Sequence, residues 1–328
     1  MRIRIGTRAS KLALTQTQQT ADQLAAVGGF PVEQVHIKTE GDVRTGSLSQ
    51  MGGTGVFVAA LRDALLAETC DVAVHSLKDL PTGAAVGLSI AATPKRVDVR
   101  DVLCARAGLT LAELPGGAKV GTGSPRRAAQ LRAARPDIEV LDIRGNVDTR
   151  LGRVPGLPGN VTDEVVPGKS CDLDAVVLAA AGLERMDRLD TVSEFFETDV
   201  MLPAPGQGAL AIECRTADAP QVEGSNGVLA QALAALNDDD TRLAVTAERA
   251  VLARLEAGCA APVGAYAFRK GSMLHLEAVV CAVDGTKTVR EKKATDGLTE
   301  VGATLLGIEV AELLLAAGAA EIADLAAS

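Results

Sequence analysis

Three groups able to do chemistry stand within four residues in the segment Asp71-Val-Ala-Val-His-Ser-Leu-Lys-Asp-Leu-Pro81: the Ser76 hydroxyl, the Lys78 ammonium and the Asp79 carboxylate. Val72 and Val74 suit the interior of a sheet, whereas the polar trio belongs at or beyond its edge, and Pro81 stops the ladder. A strand that delivers such groups at its C-terminal end places them where open α/β sheets bind ligands. Taken alone, the same residues also describe a solvated loop with an incidental ion pair.

Lys119-Val-Gly-Thr-Gly-Ser-Pro-Arg-Arg127 points to an anion. Gly121 and Gly123 permit close backbone approach, Ser124 suits a helix N-cap and Pro125 the first helical position, so free N–H groups meet the guanidinium charge of Arg126 and Arg127. Arg126 stands where a dinucleotide fingerprint has its third glycine, and a Walker lysine is absent. A capped helix with surface arginines is the plainer alternative. In Ile143-Arg-Gly-Asn-Val-Asp-Thr-Arg150, Arg144 leaves a strand end, Gly145 bends the chain, Asn146 caps a helix and Arg150 lies one turn inside it. Several planar guanidinium forks in one cleft suit a ligand bearing many carboxylates, with phosphate almost as good a match. Arg8 and Arg185, near other strand ends, fit the same edge.

Cys259 continues the stripe Leu243, Ala247, Val251, Leu255 and so reads as a core thiol; Gly258 just before it equally puts the sulfur on a turn, as a nucleophile or an attachment point. His36, His75 and His275 have no metal spacing, and no metal site is expected.

The elements that must position these residues follow a repeated order. Strand 2–6, a helix capped by Ser10 and ended by Gly28-Gly29, strand 32–37, a helix over 56–67 and the strand from Asp71 predict parallel pairing with right-handed crossovers. Strand 86–91 and a linker at 93–96 follow, then a second unit of the same kind: a segment over 99–105, strands at 119–121, 138–143 and 175–178, and helices from Pro125, from Asn146 and up to Arg185. Residues 202–213 form a second linker feeding a strand. Asp240 is the expected cap of a helix through Leu255. Strands 263–268 and 273–283 and a helix 298–317, packing Val301, Leu305 and Ile308, make the last unit α+β. The Gly-rich stretch 40–55 reads as a mobile loop or lid, and 153–172 as an irregular insertion.

Composition narrows the function. In 328 residues, 47% apolar but only 2% aromatic, the core must come from Ala, Val, Leu and Ile, in two or three domains. The absence of a long uncharged apolar run predicts a cytoplasmic protein, and a charge of −9 disfavours non-specific binding to nucleic acid or to an anionic membrane, so neither is an expected partner. Yet residues 119–153 hold eight Lys or Arg against four Asp or Glu, a basic island that suggests a small anionic ligand. Six scattered cysteines form no disulfide framework, and most are expected to be small buried hydrophobes.

Together the motifs resemble the hydroxymethylbilane synthase, or porphobilinogen deaminase, family, nearly end to end: Gly6-Thr-Arg-Ala-Ser-Lys-Leu-Ala-Leu14, Gly52-Gly-Thr-Gly-Val-Phe57, Val74 to Pro81, Gly121 to Arg127, Arg144-Gly-Asn146, Pro205-Gly-Gln-Gly-Ala209, Val245-Thr-Ala-Glu-Arg249 and Gly258-Cys259. The resemblance implies two periplasmic-binding-protein-like α/β domains flanking a cleft plus a smaller α+β C-terminal domain, with boundaries 1–95 plus 203–235, 96–202 and 236–328. It implies a monomeric transferase that adds four porphobilinogen molecules, each losing ammonia, to a dipyrromethane primer joined by a thioether to Cys259, hydrolysis then releasing linear hydroxymethylbilane.

By the same resemblance Asp79 is the catalytic carboxylate, facing a cationic azafulvene. Lys78, Ser76, Thr122, Ser124, Arg126, Arg127, Arg144 and Gly145 hold the cofactor, and Arg8, Ser10, Gln16, Arg150 and Arg185 bind substrate. Thr54 and Ala59 stand where many relatives have lysines, which bears on the charge of the 40–59 loop. Pro125 and the long 153–172 insertion also depart from the family pattern. Two rivals remain at this stage, a non-catalytic two-domain binder of small polycarboxylates and a transferase acting on a phosphorylated ligand.

Overall fold

The computed structural model describes residues 2–37, 55–158, 171–220, 227–258, 261–323 and 325, and builds three sheets. The chain lays down β1 (Ile3–Thr7), α1 (Lys11–Gly28), β2 (Val32–His36), α2 (Gly55–Leu66), β3 (Val72–Ser76) and β4 (Leu88–Ala92). It continues with β5 (Asp101–Ala105), β6 (Lys119–Thr122), α3 (Pro125–Ala134), β7 (Glu139–Asp142), α4 (Val147–Leu151), β8 (Ala175–Ala179), α5 (Ala180–Arg185) and β9 (Glu194–Phe195). Then come β10 (Leu210–Arg215), α6 (Val228–Leu236), α7 (Asp239–Arg254), β11 (Val263–Lys270), β12 (Met273–Cys281), β13 (Thr288–Thr295), α8 (Glu300–Ala316) and α9 (Ala319–Ile322).

The expected parallel pairing holds for β1 with β2 and β3, and for β6 with β7 and β8. Each of these sheets departs from it at one strand. β10 returns from far along the chain to lie antiparallel between β3 and β4, giving the order β2-β1-β3-β10-β4. β5 does the same between β8 and β9 in the order β7-β6-β8-β5-β9. Both inserted strands are reached through the segments linking the two sheets, so the first two units are joined by paired crossings rather than by one tether.

The third sheet is the antiparallel β11-β12-β13, covered by α7 and α8. The stripe Leu243, Ala247, Val251, Leu255 faces this core as expected. Two local readings are corrected. Asp238, not Asp240, caps α7, accepting from Thr241 N at 2.8 Å. α8 buries Ala303, Leu306, Val310 and Leu314, whereas Val301 and Leu305 are 70% and 53% exposed: the helix is apolar all round, so its sequence did not single out a face. β13, α6 and the antiparallel insertions had no expected counterpart. The 40–54 loop and 159–170 of the insertion lie outside the described residues; the flanks of the latter are tied by an Arg153–Asp172 ion pair.

Cys70, Cys104, Cys214 and Cys281 are buried as expected, with burial pushing each thiol up to about 11 or 12; Cys171 instead is exposed. No described helix is long and apolar enough to cross a membrane.

Candidate active site

β1 and β3 lie side by side, β3 running two residues past the end of β1. Arg8 follows the first, and Ser10 caps α1, its Oγ accepting from Ala13 N at 3.3 Å. Gln16, further along α1 and 4% exposed, donates Nε2 to Ser76 Oγ at 3.1 Å, so two of the expected residues are tied together at one strand end. Beyond Ser76 the chain makes a 3₁₀ turn, Leu77–Asp79, closed by Leu80 N donating to Leu77 O at 3.1 Å. Its direction is set by apolar burial: Leu77 and Leu80 sink among Val58, Ala209, Ala211 and Val245, which turns the intervening Lys78 and Asp79 outward, each half-buried.

The second sheet presents its own strand end. Thr122, buried, closes β6 and accepts from Ser124 N at 3.2 Å; Ser124 caps α3, as the sequence predicts. Gly123 is required here, since a Cβ would lie 2.6 Å from Ile143 O. The space it leaves brings Arg150 Nη2 within 3.8 Å of that Cβ position. Asn146 caps α4, Arg150 Nε donates to Gly145 O at 2.8 Å, and Arg144 is exposed in an ion pair of 3.1 Å with Asp142. Burial, then the charges of Arg127 and Arg144, push the Arg150 guanidinium down to about 10. Arg185, at the end of α5, donates to Gly208 O at 2.9 Å, the segment that leads into β10.

The two strand ends meet through a residue the sequence reading did not single out. Asp101, fully buried at the start of β5, accepts from Arg126 Nη1 at 2.7 Å, Arg127 Nε at 2.8 Å and Gln207 Nε2 at 2.8 Å. Gln207 Oε1 in turn lies 3.5 Å from Lys78 Nζ. Burial disfavours the Asp101 carboxylate, but Arg126 and Arg127 outweigh it and hold the carboxyl well below the usual range. Arg126 and Arg127 are therefore interior cations, 4% and 6% exposed, not the surface pair that the plainer reading of a capped helix describes. The signal available in the sequence was an acid opening an otherwise apolar strand, Asp101-Val-Leu-Cys-Ala105.

One carboxylate for two guanidinium groups leaves the junction cationic. Burial and Arg127 together push the Lys78 ammonium down to about 8, in spite of Asp79 and Asp101 nearby. A group strained in this way is relieved by an anion, so the donors present, Lys78, Arg127 and Arg150 beside Thr122 and Ser124, fit a small molecule bearing several carboxylates. Asp79 neighbours Lys78 in the same 3₁₀ turn and favours its charged form. Cys259 lies outside the described residues.

The chain is similar to known proteins. The family description "Porphobilinogen deaminase, dipyromethane cofactor binding domain" matches residues 3–223, and "Porphobilinogen deaminase, C-terminal domain" matches 242–316. The porphobilinogen deaminase of Cutibacterium acnes is 55% identical, with 99% of this chain and 98% of that one covered. That of Thermobifida fusca is 52% identical, with 99% and 97% covered. Among solved structures, the methionine binding protein MetQ gives a TM-score of 0.41 at 12% identity, over 71% of this chain and 89% of that chain.

Proposed function

The chain belongs to the porphobilinogen deaminase family, and on that premise we propose that Asp79 is its catalytic carboxylate, with the cations of both strand ends as its carboxylate clamps. The protein is a transferase that deaminates porphobilinogen and joins four molecules to a covalently held dipyrromethane, releasing linear hydroxymethylbilane for tetrapyrrole synthesis. The family match decides against the non-catalytic binder and against the phosphorylated-ligand transferase.

The reading rests on one observation, the half-buried Asp79 next to Lys78 at a junction where one carboxylate, Asp101, is shared by two buried guanidinium groups. Loss of ammonia from an aminomethylpyrrole leaves positive charge on the substrate. Asp79 offsets that charge, accepts from pyrrole N–H groups and takes up or returns the protons that ammonia loss and bond formation move. Its value there grows as bound substrate displaces water, because a carboxylate fixed in a water-poor site is not already neutralised by solvent. Thr122, Ser124, Ser76, Lys78, Arg126, Arg127, Arg144 and Gly145 form the cofactor side, Arg126 acting from behind Arg127 through the shared Asp101. Arg8, Ser10, Gln16, Arg150 and Arg185 form the substrate side. When bound through Cys259, the dipyrromethane supplies the terminal pyrrole to which substrate is joined. The units 1–95 plus 203–235, 96–202 and 236–328 act as three domains of a cytoplasmic monomer.

Intact mass tests this directly. Protein produced with substrate available should exceed its 33.6 kDa polypeptide by a dipyrromethane and give a colour reaction for pyrroles. A bare polypeptide mass overturns the reading. Asp79→Ala should keep the fold, seen by circular dichroism, and lose roughly 10²-fold or more in ammonia release.

A further inference from the structure

Arg249 belongs to the motif Val245-Thr-Ala-Glu-Arg249, which the roles above leave without a task, and its place in the fold supplies one. It lies on α7, in the third unit, yet its guanidinium reaches the turn that carries Asp79 in the first. Nη1 donates to Leu80 O at 2.9 Å and lies 3.5 Å from Leu77 O, and Nη2 donates to Pro81 O at 2.6 Å. One helical turn earlier on the same face, Val245 packs in the apolar cluster that holds Leu77 and Leu80. The turn is thus gripped twice by one helix: its buried leucines by Val245, and the carbonyls on both sides of Asp79 by Arg249.

We infer that Arg249 is a positioning residue for Asp79, holding the backbone of residues 77–81 so that the carboxylate keeps one direction through successive additions. The inference rests on the catalytic reading of Asp79. A planar fork with donors in fixed directions suits this task, since it spans carbonyls that face the same way and resists rotation of the turn, which a single ammonium does less well. A carboxylate that must offset charge at a defined point loses most of its effect when displaced: a misplacement of about 1 Å costs on the order of 10²-fold in rate.

The test is a double-mutant cycle on the primer-bearing enzyme, with rates expressed per primer-bearing molecule counted by intact mass. Arg249→Gln is expected to lower kcat about 10- to 100-fold with KM changed less than about threefold, whereas in an Asp79→Asn background it should cost less than about threefold. Arg249→Lys, which keeps the charge without the fork, should recover at least about threefold of the loss. An undiminished kcat in Arg249→Gln overturns the inference. So does an equal cost in both backgrounds, which would leave the Asp79 reading standing. A silent Asp79→Asn instead brings down the reading beneath it. Where Arg249→Gln melts well below the parent enzyme, the cycle is run at a temperature at which every variant is folded by circular dichroism, and an equal cost in both backgrounds again overturns the inference.

Discussion

Replacing Asp101 by Asn changes almost no volume and removes one buried charge, which makes its cost calculable. The wild-type carboxylate sits between Arg126 and Arg127, all three nearly or fully buried, with Gln207 as a further donor. In Asp101→Asn a single amide oxygen must serve three donors, its NH₂ group is forced toward a guanidinium, and the two arginines face each other without a counter-charge. Breaking a buried pair from one side costs about 3–5 kcal/mol. Taking about 3 kcal/mol, and about 2–4 °C per kcal/mol for a cooperative unit of roughly 150–250 residues, such as the two sheets joined by paired crossings make together, the melting temperature should fall by roughly 6–12 °C at pH 7. The sign of the pH dependence follows from the depressed carboxyl. Its stabilisation is present above the unfolded pKa of about 3.9 and is lost as pH falls through that value toward the folded one. The difference between the two proteins should therefore narrow below about pH 4. Calorimetric scans at several pH values measure both effects. A variant within about 1 kcal/mol of wild type at pH 7, or a gap that stays constant into acid, would refute the account of Asp101 as the charge that holds the junction together.

Other outcomes follow from the same geometry. In primer-free protein the Lys78 ammonium, held near 8, is present below that pH and lost above it, so mass gain on incubation with porphobilinogen should slow as pH rises through about 8; Lys78→Arg, which stays charged, should remove that limb. Cys259→Ala should abolish stable attachment of the dipyrromethane by intact mass, and a thioether found on another cysteine would reassign the site. Gly208 has φ +84°, and a Cβ there would lie 2.7 Å from Val97 O, so Gly208→Ala should cost about 2 kcal/mol or more in urea unfolding; a loss below about 0.5 kcal/mol contradicts this.

What the sequence made legible was local. Ser10, Ser124 and Asn146 cap their helices as expected because a cap is decided by the few residues that follow it. The polar strand ends were legible for a similar reason, since Ser76, Lys78 and Asp79 cannot continue a buried strand. What stayed hidden was set by partners far away. β10 is separated from β3 by well over a hundred residues, and nothing in Leu210-Ala-Ile-Glu-Cys-Arg215 states that it runs antiparallel. Glu213 on that strand shows the same limit: it is 1% exposed and looks like an error in an apolar run until Arg62, 2.9 Å away, is seen to neutralise it. β13, Thr288-Val-Arg-Glu-Lys-Lys-Ala-Thr295, is charged as edge strands are, and so lacks the alternation that reveals an inner strand.

Glu248, beside Arg249, shows why the hidden partners gather where they do. It is fully buried; Oε1 accepts from Arg96 Nη1 at 2.7 Å and Ala267 N at 2.9 Å, and Oε2 from Gly206 N at 2.6 Å, while Arg96 also donates to Gln207 O at 2.7 Å. One carboxylate of the third unit thus fastens both segments that cross between the first two sheets, and its neighbour grips the turn of Asp79. Buried acids of this kind are tolerated only when every oxygen is occupied, and here each occupant comes from a different stretch of chain. Glu248 thus ties the third unit to both crossings at the point where Gln207, bonded to Asp101 and 3.5 Å from Lys78 Nζ, links the two strand ends.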